Sequence, residues 1–208
     1  LYRPADGKLY DQNATACGVH YLQQSTSAGW AVTDIDTGET VGTFDTSCLW
    51  YAGGTALLDA AGSLEDGPSW YQLRRSDGTT AAVRAYSMDL DRGLAVLLTD
   101  SAEAYSSEGQ LQYALPLTLG AADSGTYYNL ALIGGGQFLL STSSTPSDAN
   151  TCLWYGADGL IRDLTADGYS YAFPLYGTNL VQAVRSDLPS LSDVLGPDGN
   201  SIFSGVRS

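Results

Sequence analysis

The chain repeats a four-residue segment, Cys-Leu-Trp-Tyr, at positions 48–51 and again at 152–155. The two copies lie 104 positions apart in a chain of 208 residues. Shorter similarities follow at nearly the same offset, such as Val83-Arg84 and Val184-Arg185. Recurrence at a fixed period indicates an architecture built from duplicated units. We therefore predict one domain, 1–208, composed of two repeats at about 1–104 and 105–208.

Turn-forming Asp-Gly pairs recur along the chain, and short apolar segments lie between them. Examples of these segments are Trp30–Thr33, Leu94–Thr99 and Phe138–Ser141. Asp-Gly suits the tight turn of a β-hairpin, because aspartate tolerates a positive φ and glycine adopts it freely. The segments have the length and the β-branched and aromatic content of strands. The most helix-like window, Ala56–Leu64, has room for one or two turns of helix. The sequence predicts an all-β fold with an internally duplicated, antiparallel sheet architecture.

Weaker similarities divide each half of the chain again. Units of about 40–60 residues with about four short strands each are typical of β-propeller blades. Four such units would fill the chain. A sandwich or a barrel with internal two-fold symmetry accounts for the longer repeat equally well. The arrangement is therefore predicted to be either propeller-like or a two-fold sandwich or barrel.

The charge balance excludes several classes of partner. The formal net charge is −14, from 23 acidic and 9 basic residues. A field of this sign repels phosphate backbones and anionic lipid headgroups, so we expect no binding to nucleic acid. No apolar segment approaches the ~20 residues of a membrane-spanning helix, so membrane insertion is not expected. The low charged content, 15%, leaves self-association open.

An extracellular location is favoured by three features together. Asn13-Ala14-Thr15 is an N-glycosylation sequon in a polar segment that is typical of an exposed loop. The sequence starts at Leu1 rather than methionine, and it contains one lysine, Lys8. We predict a secreted, acidic glycoprotein with Asn13 as the glycosylation site.

The three cysteines allow at most one intramolecular disulfide. Cys48 and Cys152 occupy equivalent positions in the repeated apolar segment, so both are expected to be buried on different sheets. A Cys17–Cys48 bond is favoured, and it would close a loop of about 30 residues and stabilise by ~3 kcal/mol. The alternative is three free, buried thiols.

Two segments share the pattern Asp-x-Asp-x-Gly, one at Asp34 and Asp36 and the other at Asp89 and Asp91. Carboxylates two positions apart in a loop can converge on a hard cation, and oxygen ligands suit calcium. The alternative is a hairpin turn with a bulge glycine. No other cofactor is predicted.

Catalytic motifs are weak in this sequence. A Ser-His-Asp triad would depend on His20, the single histidine, and the nucleophile motif Gly-x-Ser-x-Gly is absent. Carboxylate-pair hydrolysis needs only two acids, but 23 acidic residues nominate no pair. No catalytic residue is therefore predicted, and a non-enzymatic function is favoured.

Aromatic side chains next to Asp-Gly turns are the best-motivated ligand contacts, because sugars present apolar faces to such rings. These residues are Trp70, Tyr71, Tyr169 and Tyr171, whereas Trp50 and Trp154 are expected in the core. We predict a secreted, non-catalytic, lectin-like protein that binds a glycan or glycoconjugate. The alternatives are an extracellular polysaccharide hydrolase with an Asp/Glu pair, and a structural subunit of an extracellular matrix or coat.

Overall fold

The computed structural model describes residues 13–59, 71–89, 92–98, 100–116, 127–145 and 148–207. These residues form nineteen β-strands and no helix, which confirms the all-β prediction. None of them belongs to a helix that could cross a membrane. The strands are β1 (Thr15–Ala16), β2 (Tyr21–Thr26), β3 (Gly29–Asp34), β4 (Thr40–Phe44), β5 (Cys48–Ala52), β6 (Thr55–Asp59), β7 (Tyr71–Arg74), β8 (Thr80–Asp89), β9 (Gly93–Leu97), β10 (Ser101–Tyr105), β11 (Leu111–Pro116), β12 (Tyr127–Gly134), β13 (Gln137–Thr145), β14 (Asp148–Gly156), β15 (Gly159–Asp163), β16 (Tyr169–Pro174), β17 (Val181–Arg185), β18 (Leu191–Leu195) and β19 (Ser201–Arg207).

Every strand is hydrogen-bonded to its neighbour in sequence within antiparallel sheets of simple up-and-down order. The hydrogen-bonded sheets are β1–β4, β5–β11, β12–β15 and β16–β19. Strand β8 pairs with β7 through its first residues, Thr80–Val83, and with β9 through Arg84 and beyond. The seven-stranded sheet is thus two four-stranded units that share one long strand. We number the resulting four-stranded units as the first to the fifth sheet.

The core consists of layers between successive sheets. Four apolar clusters lie at the four junctions from the first sheet to the fifth. Side chains alternate between the two faces of a strand, so each inner sheet contributes to two clusters. In the third sheet, Leu94 and Val96 face the second sheet, whereas Ala95 and Leu97 face the fourth. The chain therefore forms a stack of sheets that pack face to face.

Burial on both faces explains the segment that appeared most helix-like. Ala56, Leu57 and Leu58 lie in β6 and are buried. Leu57 packs towards the third sheet, and Ala56 and Leu58 pack towards the first. A strand covered on both faces needs a continuous apolar run rather than an alternating one, and short apolar runs do not distinguish helix from strand. Residues 56–59 of this window are therefore strand, in keeping with the all-β prediction, and residues 60–64 lie outside the described residues.

The repeated Cys-Leu-Trp-Tyr segment forms the first strand of a tight hairpin in both copies. The first copy lies in β5, which turns into β6, and the second lies in β14, which turns into β15. Trp50 and Trp154 are fully buried, as expected. Strand β5 opens the second sheet, whereas β14 is the third strand of the fourth sheet. The described residues form five four-stranded units rather than four, because each unit needs only about 40 residues.

Candidate functional site

A groove separates the first sheet from the second along the edge strand β4. Its cavity has a volume of about 610 Å³, which is within the ~300–1,000 Å³ range of small-molecule sites. A second cavity of about 350 Å³ continues beyond Arg74 and shares Arg74, Phe44 and Gly78 with the first. The lining of the first cavity includes Phe44, Asp45, Asp59, Gln72, Arg74 and Thr80.

Strand alternation directs one face of the β7–β8 hairpin into this groove. Leu73 is fully buried between the second and third sheets, so its neighbours Gln72 and Arg74 emerge on the opposite face. Thr80 is paired with Arg74 across the hairpin. Gln72, Arg74 and Thr80 are all exposed. The groove therefore has one wall of polar side chains that solvent can reach.

The hairpin turn that ends this wall is closed by local hydrogen bonds. The backbone N–H of Arg75 donates to Thr79 O at 2.8 Å, and the N–H of Gly78 donates to Arg75 O at 2.9 Å. Gly78 has a φ of +85°, which favours glycine. Asp77 accepts hydrogen bonds from the hydroxyl and the backbone N–H of Thr79, and these lower the pKa of its carboxyl. The turn is thus fixed without using the groove-facing side chains.

The opposite wall is the end of β4. Phe44 is buried in the cluster between the first two sheets, and the Arg74 Cζ atom lies 6.0 Å from the centroid of its ring. A guanidinium over an aromatic ring is attracted by the negative face of the ring. Asp45 follows at the end of β4 and is exposed. One guanidinium, two carboxylates and an amide therefore share a groove with an apolar floor.

Arg75, next to Arg74, has a structural role. Its guanidinium donates to Glu103 Oε1 at 2.6 Å and to the Tyr105 hydroxyl at 3.0 Å, and the Tyr105 hydroxyl donates to Glu103. The hydrogen bond with Glu103 is the main cause that raises the pKa of Arg75. This network connects the second sheet to the third, and its nearly buried Glu103 carboxylate is fully engaged.

The three described members of the predicted aromatic set, Tyr71, Tyr169 and Tyr171, do not converge. Trp70 lies outside the described residues. Tyr71 borders the groove but packs against the cluster between the second and third sheets. Tyr169 is buried, and its hydroxyl donates to Asp193 Oδ2 at 2.9 Å. Tyr171 belongs to the fifth sheet, far along the stack from Tyr71.

Tyr171 lies on the outer face of the fifth sheet. It is 48% exposed and stacks on Phe173, with ring centroids 6.2 Å apart and an interplanar angle of 25°. Cross-strand pairing places Val184 and Gln182 on the same face. Tyr171 and Phe173 are the exposed rings of this face, whereas Val184 is buried and Gln182 donates to the Ser192 hydroxyl. No described contact on this face singles out one ligand.

The first Asp-x-Asp-x-Gly segment forms a tight turn. Asp34 Oδ1 accepts the backbone N–H groups of Asp36 and Thr37 at 2.8 and 3.0 Å, and Gly38 has a φ of +78°. Asp36 instead contacts His20, with Oδ2 2.7 Å from Nδ1. In the described part of the chain no cluster of three or more potential metal ligands occurs. Asp91 and the Asp89 side chain lie outside the described residues, so calcium binding there stays a prediction.

The predicted glycosylation site and two of the cysteines lie near the start of the fold. Cys17 lies between β1 and β2, Cys48 opens β5, and Cys152 lies in β14. Asn13 is exposed just before β1. All three cysteines are free thiols and buried, so the structure shows the alternative of three buried thiols and not the favoured Cys17–Cys48 disulfide. His20 is an exposed partner of Asp36 and has no described nucleophile beside it, so a triad at this histidine finds no support among the described contacts.

Sequence reasoning missed Gln72 and Arg74, although Tyr71 was selected. The signal was present in the segment Tyr71–Arg74, where strand alternation puts positions 72 and 74 on one face. Knowing which face is open requires the position of the first sheet. No protein-family model matches this chain, and no curated protein matches it either.

Proposed function

We propose that this protein is an extracellular, non-catalytic carbohydrate-binding protein and that the groove between its first and second sheets is the binding site. The observation that supports the proposal is the combination of a cavity of about 610 Å³ with exposed Gln72 and Arg74 beside an aromatic floor at Phe44. Binding sites for small molecules combine an apolar surface with a few convergent polar groups.

The polar groups match the donors and acceptors of neutral sugars. Sugar hydroxyls both donate and accept hydrogen bonds. Asp45 and Asp59 only accept when ionised, Arg74 only donates, and Gln72 and Thr80 do both. The guanidinium and the two carboxylates balance one another locally to within one charge, whereas the chain as a whole carries −14. Anionic ligands are repelled at long range, so the proposed ligand class is neutral oligosaccharide.

Binding to a glycan array, followed by titration calorimetry with the best neutral oligosaccharide, tests the proposal. The Arg74→Ala variant should weaken binding by about 10- to 150-fold, since a hydrogen bond to a charged group contributes about 1.5–3 kcal/mol. Arg207→Ala removes the same charge from the exposed strand β19 and should leave binding unchanged. No binding of any neutral glycan, or equal binding by the Arg74→Ala variant, would refute the assignment.

Two further variants separate the alternatives. Tyr171→Ala should leave binding unchanged, and a loss of binding would move the site to the outer face of the fifth sheet. Release of reducing ends that stops in Asp45→Asn or Asp59→Asn would identify a hydrolase instead, because glycoside hydrolysis needs a carboxylate pair. Sensitivity of binding to a calcium chelator would assign a role to the aspartate turns.

A further inference from the structure

Cys17 and Cys48 meet in the core between the first and second sheets. Both belong to the same apolar cluster, and both are 0% exposed. Cys48 is the main cause of the raised pKa of the Cys17 thiol, so the two side chains lie side by side. The Cys48 thiol itself donates to the carbonyl oxygen of Trp50 at 3.4 Å. Cys17 lies between β1 and β2 of the first sheet, whereas Cys48 opens β5 of the second sheet. The pair therefore joins residues of two different sheets.

Backbone contacts on either side fix this approach. The Tyr51 N–H donates to the carbonyl oxygen of Cys17. The Cys48 N–H donates to Oε1 of the buried Gln23 in β2 at 2.8 Å. A Cβ atom at Gly18 would overlap the Tyr51 carbonyl oxygen, so glycine next to Cys17 permits the close approach. The position of the two cysteines is therefore imposed by the main chain and by a glutamine, not by the thiols alone.

We propose that Cys17 and Cys48 are a site of oxidation to a disulfide that covalently links the first sheet to the second. The oxidant is a small-molecule disulfide such as oxidised glutathione. One cysteine thiolate attacks it and releases a glutathione thiolate, and the second cysteine thiolate then attacks the protein sulfur of the mixed disulfide and releases the other. Two electrons pass to glutathione, the two thiol protons end on its two sulfur atoms, and one S–S bond forms in the protein.

Burial decides when this reaction takes place. The hydrogen bond with Cys48, followed by burial, raises the pKa of the Cys17 thiol. Thiolate is the attacking species in thiol–disulfide exchange, so the folded protein reacts slowly. The disulfide forms while the β1–β2 segment is still open, before the sheets close over both sulfur atoms.

Cys152 provides an internal control. It is the repeat counterpart of Cys48 and equally buried, but it lies in the cluster between the fourth and fifth sheets. Its sulfur is 3.6 Å from the Ser141 hydroxyl oxygen. Cys152 shares burial and sequence context with Cys48, but its neighbour is the Ser141 hydroxyl, whereas the neighbour of Cys48 is the Cys17 thiol.

Thiol counting on the full chain tests the proposal. After refolding in a glutathione redox buffer, alkylation in denaturant should label Cys152 alone, and intact mass should fall by two hydrogen atoms per chain. The Cys152→Ser variant should then label no cysteine, and Cys17→Ser should label Cys48 and Cys152. Labelling of all three cysteines in the wild type, or a disulfide that contains Cys152, would overturn the proposal.

Two physical readouts accompany the thiol count. The oxidised wild type should unfold about 6–12 °C above the reduced form, because the cross-link closes a loop of about 30 residues in the unfolded chain. Cys17→Ser should lose this redox-dependent shift, and Cys152→Ser should keep it. Oxidation of the already folded, reduced chain should be slower than oxidation during refolding, and equal rates would refute the requirement for opening.

Discussion

Replacing Tyr113 by phenylalanine should stabilise the protein, whereas the same replacement at Tyr105 should destabilise it. Tyr113 is buried in the cluster between the third and fourth sheets, and its ring stacks on Phe138 with centroids 5.9 Å apart. Its hydroxyl oxygen is buried and makes no hydrogen bond with any described residue. Tyr105 is buried nearby, but its hydroxyl is held by Arg75 and Glu103.

The magnitudes follow from this difference. A buried hydroxyl without a partner costs about 1–3 kcal/mol, and phenylalanine keeps the ring while it removes that cost. Tyr113→Phe should therefore raise the free energy of unfolding by about 1 kcal/mol. Tyr105→Phe removes hydrogen bonds with two charged groups and should lower it by about 2 kcal/mol. The midpoint of thermal unfolding should rise by about 2–4 °C in the first variant and fall by about 4–8 °C in the second.

Thermal and denaturant unfolding at neutral pH, followed by circular dichroism, measure both variants against the wild type under reducing conditions. The pair is a matched test, since the chemical change is identical and the two side chains have similar burial. Burial also raises the pKa of Tyr113, which agrees with a phenol that has lost its solvation. A Tyr113→Phe variant that loses as much stability as Tyr105→Phe would refute the argument that its hydroxyl lacks a partner.

Two further predictions concern an acidic side chain and a close turn. Burial alone would raise the pKa of Asp193, but hydrogen bonds from Gly205, Arg185 and Tyr169 outweigh it and lower the pKa. The stabilisation by Asp193 is therefore complete above its unfolded pKa of ~3.9 and is lost as pH falls through the lower folded value. Asp193→Asn should flatten the pH dependence of the free energy of unfolding below about pH 4. The same loss of stability at acid pH in the variant as in the wild type would contradict this. A Cβ at Gly109 would overlap the Ala52 carbonyl oxygen, whereas a Cβ at Gly78 meets open space, and both glycines have positive φ. In the same unfolding assays, Gly109→Ala should therefore lower the free energy of unfolding by about 3 kcal/mol or more, and Gly78→Ala should lower it by about 1 kcal/mol. Equal losses in the two variants would show that the overlap at Gly109 is relieved.

Much of the fold was predictable because the responsible signals are local. The Gly53-Gly54 turn between β5 and β6 has positive φ at both positions, and a positive φ is a property that glycine contributes by itself. Alternation in β11 predicts that Tyr113 and Leu115 are buried while Gln112 and Ala114 are exposed, as observed. The window at Ala56 looked the most helix-like for the converse reason, since burial on both faces removes the alternation that marks a strand.

The site was less predictable because it depends on contacts between sheets. Tyr169 and Tyr171 are two positions apart next to the same turn, but a bulge separates them in the β16–β17 pairing. One is buried with its hydroxyl on Asp193, and the other is exposed on the outer face. A bulge shifts the side chains that follow it to the other face, and nothing in the composition of Tyr169–Tyr171 specifies which ring is covered.

The sequence by itself determined that this chain forms short antiparallel strands joined by glycine turns, because turn chemistry and strand patterning act within a few residues. It also determined that Trp50 and Trp154 are core residues, through the apolar segments that contain them. The tertiary structure alone decided how many sheets are stacked and that Arg74 and Gln72 face a groove beside β4. These features depend on how one sheet packs against the next, and that packing joins residues that are distant in the chain and carry no shared local signal.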